Sequence, residues 1–214
     1  FEVEGFVTQA GTANGNVIDF TIGTTPVRTT ANTEFRGGMV DEIVVGAKLS
    51  AEGRFDGTTL IAKHVKFHAS VRLEGDATVS GNTLTLAGLP GVTITANSQT
   101  ELKDAASLND LNGNHVRARG RVTGPNTVIA TRIELRSPDS DVDLQGPVQS
   151  ISGTVIEILG VSVDLSAINQ FESVSGTSMS RAAFLAAVEV NSLVKVKGVL
   201  NGAAVTWDEA ELED

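Results

Sequence analysis

Two glycines recur three times along this chain at nearly fixed spacing, and that pattern restricts the fold more than any other feature. The first set, Gly5, Gly75 and Gly146, is spaced by 70 and 71 residues. The second set, Gly53, Gly120 and Gly198, follows the first by 48, 45 and 52 residues. Around the first set the chain reads FEVEGFVT, RLEGDATV and VDLQGPVQ; around the second it reads AKLSAEG, VRARGRV and VKVKGVL. Paired landmarks at near-constant offset mark an internal repeat, one supersecondary unit used several times.

Side-chain parity says what the unit is made of. In the opening segments Val3, Gly5 and Val7, then Leu73, Gly75, Ala77 and Val79, then Val142, Leu144, Gly146 and Val148 fall at alternate positions, with mostly polar residues between them. Period-two alternation is the mark of a strand with one buried face. Turn residues follow (Asn14-Gly15-Asn16, Ser80-Gly81-Asn82), then two further strands, such as Val17 to Ile22 and Val92 to Ala96. The next segment lacks alternation: Met39 to Val45, Ala105 to Leu111, and Arg181 to Glu189, whose RAAFLAAVE is helix-like. A strand carrying the second glycine, a turn (Asp56-Gly57, Gly124-Pro125-Asn126, Asn201-Gly202) and a final strand such as Leu60 to Phe67 complete the unit. The expectation is an all-β chain of three tandem five-stranded OB-like β-barrels, each with a short helix between strands three and four. Their boundaries fall at 1–70, 71–138 and 139–214.

Composition narrows the class. The 214 residues contain no cysteine, which excludes disulfides, thiolate sites and iron–sulfur clusters. Phe1 in place of methionine leads us to expect a processed or trimmed chain, with any signal or lipid anchor outside it. No run approaches the roughly 18 apolar residues that a transmembrane helix requires. Net charge is −10, the wrong sign for coating a phosphate backbone, which argues against nucleic acid as the partner.

With the repeat laid out, the pattern V-x-x-x-G-x-V, hairpin, T-x-F or a variant (Thr33-Glu34-Phe35, Thr100-Glu101-Leu102, Asn169-Gln170-Phe171), short helix, V-x-V-x-G and L-x-A-x-x-V resembles a bacterial family of domains of unknown function, number 5666. The resemblance covers nearly the whole chain. It implies OB-like barrels in tandem on secreted or lipid-anchored envelope proteins, hence an extracellular, periplasmic or outer-surface location. The family supplies no catalytic or binding residues to carry over. The third copy departs most, with a longer helical insert and a final strand, VTWDEAEL, that reads as weakened.

Four motifs invite chemistry. Gly176-Thr177-Ser178-Met179-Ser180 resembles the peptide around the nucleophilic serine of subtilisin-like proteases, but neither His64, His68 nor His115 stands in the context such a serine requires. Ser178 or Ser180 as a helix cap is the better reading. His64 and His68 share a strand face beside Lys63 and Lys66, whose charges oppose a cation; a solvated face is expected. Asp139, Asp141 and Asp143 alternate at the junction of copies two and three and offer a calcium site, against the default of a solvated acidic linker. Arg117, Arg119 and Arg121 form a basic stripe opposite Val116, Ala118 and Gly120, with Lys195 and Lys197 at the equivalent strand of copy three. A stripe without stacking aromatics suits an exposed polar face or a protein contact better than a base-reading platform.

Charge is distributed unevenly. Residues 1–70 carry −2, residues 71–136 carry +1 and residues 137–214 carry −9. Lys63, His64 and Lys66 of the first copy align with Asp208, Glu209 and Glu211 of the third. An acidic third copy meeting a more basic face of another molecule would give head-to-tail filaments, against the default that the negative charge maintains solubility. Tandem repeats without catalytic residues point to a non-catalytic structural or assembly protein, with itself or another protein as partner, and the family resemblance implies the cell envelope or exterior. The alternative is an envelope module that binds a glycan, peptide or anion.

Overall fold

The computed structural model describes residues 1–214 and is all-β, in three repeats, with one α-helix. The first repeat contains β1 (Glu2–Ala10), β2 (Asp19–Ile22), β3 (Thr25–Arg28), β4 (Glu34–Arg36), β5 (Lys48–Asp56) and β6 (Thr59–His68). The second contains β7 (Val71–Ser80), β8 (Thr83–Leu86), β9 (Thr93–Thr95), β10 (Glu101–Lys103), β11 (His115–Gly124) and β12 (Thr127–Leu135). The third contains β13 (Asp141–Ser152), β14 (Val155–Ile158), β15 (Val161–Asp164), β16 (Gln170–Glu172), α1 (Arg181–Ala187), β17 (Leu193–Asn201) and β18 (Ala204–Glu213).

Pairing follows one plan, closed into a ring in the first two repeats. In the first, β1 pairs antiparallel with β2 and β5, β2 with β3, β5 with β6, and β3 closes onto β6 in parallel. The second repeats this ring through β7, β8, β9, β12 and β11. In the third, β15 pairs only with β14, so the ring stays open between β15 and β18. The alternating apolar residues face inward: Val7, Ile22, Leu49, Leu60 and Val65 in the first repeat, Leu73 and Val116 in the second, Leu144, Val194 and Val196 in the third.

Both glycine landmarks have steric causes. A Cβ at Gly53, Gly120 or Gly198 would lie 2.0, 2.3 and 2.3 Å from the carbonyl oxygens of Ile61, Ile129 and Thr206 on the partner strand. Gly53 and Gly198 also sit where the hairpin register slips by one residue, a β-bulge. The first set is less confined: a Cβ at Gly5 or Gly146 would meet an isoleucine methyl at 3.2 or 3.0 Å. The threonine of T-x-F is a clamp. The Thr33 hydroxyl donates to the Ala62 carbonyl at 2.7 Å and accepts from Thr30 N, and Thr100 does the same with Ala130 and Asn97.

The expected three separate five-stranded barrels require correction. Each repeat has a sixth, three-residue strand (β4, β10, β16) lying parallel to its last strand. A helix follows it only in the third repeat, where α1 buries Phe184 5.1 Å from Phe171. The first and second repeats have short 3-10 turns at Val40–Glu42 and Leu108–Leu111: the first segment is rich in β-branched residues (Val40, Ile43, Val44, Val45), and Ser107, Asn109 and Asp110 interrupt the second with residues that favour caps and turns. The final strand of the third repeat is not weakened; β18 is ten residues long and pairs with β17 throughout.

The chain forms two compact units, Phe1–Ala69 with Arg121–Pro125, and Ser70–Gly120 with Asn126–Asp214. The second unit unites two repeats because β7 pairs with β13, with Arg72 opposite Gln145, Leu73 opposite Leu144 and Glu74 opposite Asp143. Successive repeats there share one sheet, the continuity of a β-solenoid rather than of separate barrels. No helix is long and apolar enough to cross a membrane.

Candidate functional site: a charged joint between repeats

Side chains that point away from the core form a charged outer face, and in the second unit it runs across the β7–β13 joint. One row of cross-strand neighbours is Arg117, Glu74, Asp143, Lys197 and Glu209; the next is Arg119, Arg72, Gln145, Lys195 and Glu211. Opposite charges at facing positions stabilise a sheet and like charges oppose it. At the joint, Glu74 and Asp143 face each other, and a third group reconciles them. Arg72 reaches Asp143 at 2.9 Å and Glu74 at 3.8 Å. Arg117 donates from Nε to Glu74 at 2.7 Å. His115, buried, lies 2.9 Å from Asp76 through Nδ1 and 3.5 Å from Glu74 through Nε2, the latter contact too long for a normal hydrogen bond. Glu74 and Asp143 are only 7% and 6% exposed, so the neighbouring side chains of this face cover the network from solvent. Burial pushes the Asp143 carboxyl up, and Arg72 pulls against it without cancelling the rise.

Further along the same face, the two lysines of β17 meet the acids of β18. Lys195 contacts Glu211 and lies 2.5 Å from Glu213; Lys197 contacts Glu211 and lies 3.3 Å from Glu209. Burial would raise the Glu211 carboxyl, but hydrogen bonds from Lys195 and Lys197 overcome it and hold the group at about 2. Burial likewise opposes charge on Lys197, and its contacts with Glu211 and Glu209 leave that ammonium raised. Glu209 moves upward, first through burial and then through the neighbouring Glu211.

The first unit has a different outer face. His64 lies between Glu34 and Glu52, 3.3 Å from each, while Lys63 and Lys66 are exposed. A cavity of about 760 Å³ opens beside β5 and β6, with Phe55, Ile61 and Ala62 as apolar lining and Asn32, Arg54, Asp56 and Lys63 among its polar groups. Phe1 meets Phe55 edge-on at 5.2 Å.

The model of one family, described as Domain of unknown function (DUF5666), matches residues 2–66, 76–134 and 145–206. The chain belongs to this family. Each match falls within one structural repeat. No curated protein matches the chain.

Several residues singled out in the DUF5666 repeats are placed differently from expectation. Asp139, Asp141 and Asp143 do not converge into a calcium site: Asp139 caps the Ser140 amide, Asp141 is exposed, and Asp143 is held by Arg72 inside the ladder. The acids that do converge are Glu172, Glu209 and Glu211, whose oxygens lie within 4.8 Å of one another, and the Lys197 ammonium already contacts two of them. The arginine stripe is not an open surface either. Arg117 is engaged with Glu74, and Arg121 lies buried over the Phe67 ring at 5.0 Å with Glu42 at 2.9 Å; Arg119 alone is exposed. Of the expected acidic contact strand, Asp208 is exposed while Glu209 and Glu211 are engaged by lysines of their own repeat. In the serine motif, Ser180 caps α1 by accepting from Ala183 N at 3.1 Å. Arg72, Glu74 and His115 were the residues that sequence reasoning missed as a group. Their signal was the position of Arg72 and Glu74 on either side of Leu73, two residues before the repeat glycine.

Proposed function

We propose that this DUF5666 chain is a non-catalytic structural or assembly module of the cell envelope or exterior, whose second and third repeats are joined through the edges of their first strands. The observation that carries this reading is the β7–β13 joint, where two repeats share backbone pairing, an apolar Leu73–Leu144 contact and an ion network covered from solvent. Modules that contact their neighbours this way extend by repetition. Within one repeat, the ring of pairings supports an OB-like strand order; between the second and third repeats the sheet runs on. The head-to-tail form, with an acidic third repeat meeting a basic face, draws less support, since Glu209 and Glu211 are matched internally. The envelope location rests on family resemblance.

A second reading, a module that binds a glycan, peptide or anion, is favoured by the cavity beside Phe55, which combines an apolar wall with charged groups of both signs. Sedimentation velocity across protein and salt concentration separates the two. Assembly predicts species heavier than the 22.3 kDa chain that grow with concentration. A single species in every condition, with a melting temperature raised by a saccharide or anion, would replace the first reading with the second.

A further inference from the structure

The edge that joins the second repeat to the third has a counterpart in the first repeat, and there it is open. Aligned on the repeat glycines, Glu2-Val3-Glu4 corresponds to Arg72-Leu73-Glu74 and to Asp143-Leu144-Gln145. The latter two segments pair with each other. β1 pairs with β5 over Glu2–Phe6, whereas β2 covers β1 only from Val7 onward. Phe1 exchanges both backbone hydrogen bonds with Gly53, and Val7 accepts from Gly46 and donates to Ala47. In an antiparallel ladder such bonds recur at every second residue, so those of Val3 and Gly5 also go to β5. The amide and carbonyl groups of Glu2 and Glu4 therefore point to the opposite edge, where no strand lies. Both glutamates are exposed.

We infer that this edge of β1 is a docking site for an extended strand of a partner protein carrying a basic–apolar–basic triplet, added antiparallel as β13 is added to β7. The reasoning rests on the proposed assembly role of first-strand edges. The occupant's chemistry follows from charge. At the existing joint Arg72 supplies the cation that lets Glu74 and Asp143 face each other. On β1 itself glutamates occupy both flanking positions, and the cation beside them is Lys48 of β5, 3.8 Å from Glu4. A second copy would set Glu2 against Glu4 on both sides of a Val3–Val3 centre, four carboxylates with only Lys48 of each copy set against them; like charges at facing positions are how natural sheets block edge-to-edge self-pairing. An incoming strand with lysine or arginine at those two positions removes the repulsion. Its central apolar residue would pack on Val3, which lies partly buried against the core, and near the exposed Phe1 ring.

The test uses the full chain and two short fluorescent peptides, one centred on Lys-Val-Lys and one on Glu-Val-Glu, read by anisotropy at low and moderate salt. The basic peptide should bind at least about tenfold more tightly than the acidic one, weaken with salt, and slow hydrogen exchange at the Glu2 and Glu4 amides. The double variant Glu2→Lys with Glu4→Lys, whose exposed side chains leave the melting temperature nearly unchanged, should reverse the preference. Absence of basic-peptide binding, equal binding of both peptides, or undiminished basic binding by the variant would overturn the inference. Sedimentation of the chain alone is unaffected by these results, so the edge can fail while the assembly reading stands.

Discussion

Glu211 offers a direct measurement of what the charged face contributes. Its carboxyl is held at about 2 in the folded chain against an ordinary value of 4.5. The folded state thus releases a proton that the unfolded state retains, so this group adds stability above pH 4.5 and loses it progressively down to about pH 2. A shift of that size corresponds to on the order of 3 kcal/mol at neutral pH. The raw acid profile does not isolate it, because Asp143 and Glu209 are raised and act with opposite sign, binding protons more readily when folded. The difference between the native chain and Glu211→Gln does isolate it. Urea unfolding is followed by fluorescence of Trp207, the only tryptophan, which lies on β18 opposite Gly198. The variant should be less stable by about 3 kcal/mol at pH 7, and the gap should close between pH 4.5 and 2. A gap that stays constant through that window, or widens on acidification, would refute the assignment of the Lys195 and Lys197 contacts as the source of the shift.

Three further outcomes follow from packing and hydrogen bonding. Gly53→Ala, Gly120→Ala and Gly198→Ala should each cost about 2–3 kcal/mol in thermal unfolding, since a methyl at 2.0–2.3 Å from a backbone oxygen forces the hairpin apart; Gly57→Ala, with open space around it, should cost about 1 kcal/mol through its positive φ alone. Replacing Arg72 with leucine leaves Glu74 and Asp143 facing each other out of solvent and should cost about 3 kcal/mol at pH 7, with part regained on acidification as Asp143 takes up a proton. Thr33→Val and Thr100→Val remove the clamp to Ala62 and Ala130 and should each lower stability by about 1–2 kcal/mol, measured by chemical denaturation.

Much of the fold was legible because it is written in local rules. Alternation around Val3, Leu73 and Leu144 marked the first strands, and Gly57 and Gly202 marked turns that need a positive φ. β4, β10 and β16 were not legible: three residues give no measurable period, and their identity comes from the parallel partner that pairs with them. The helix showed where RAAFLAA carries real propensity, while its counterparts are 3-10 turns closed by carboxylates, with Glu42 accepting from Met39 N and Asp110 from Ser107 N. Another missed feature is the left-handed residue after this segment. Gly46, Gly113 and Asn191 occupy it, each donating its amide to the first strand, at Val7, Ala77 and Val148. Asparagine tolerates that conformation, so a search for glycine alone passes over the third copy.

The charged groups were harder to place because their partners are remote in sequence. Arg117 reads as a free stripe until β11 is paired with β7, which puts it against Glu74, 43 residues away. Asp143 reads as linker until β13 starts at Asp141 and draws it into the ladder. The same two positions on either side of the central apolar residue carry Glu and Glu, Arg and Glu, or Asp and Gln in the three repeats, while the glycines around them do not vary. Backbone pairing at an edge is indifferent to sequence, so charge at those positions must supply the selectivity. Arg72 and Glu74 opposite Gln145 and Asp143 permit one pairing, and Glu2 with Glu4 forbids pairing with itself. Exchanging the pair Glu2 and Glu4 for arginine and glutamate should therefore make the first repeat's edge compatible with itself, read as a heavier species than the native chain gives in sedimentation velocity at the same concentration.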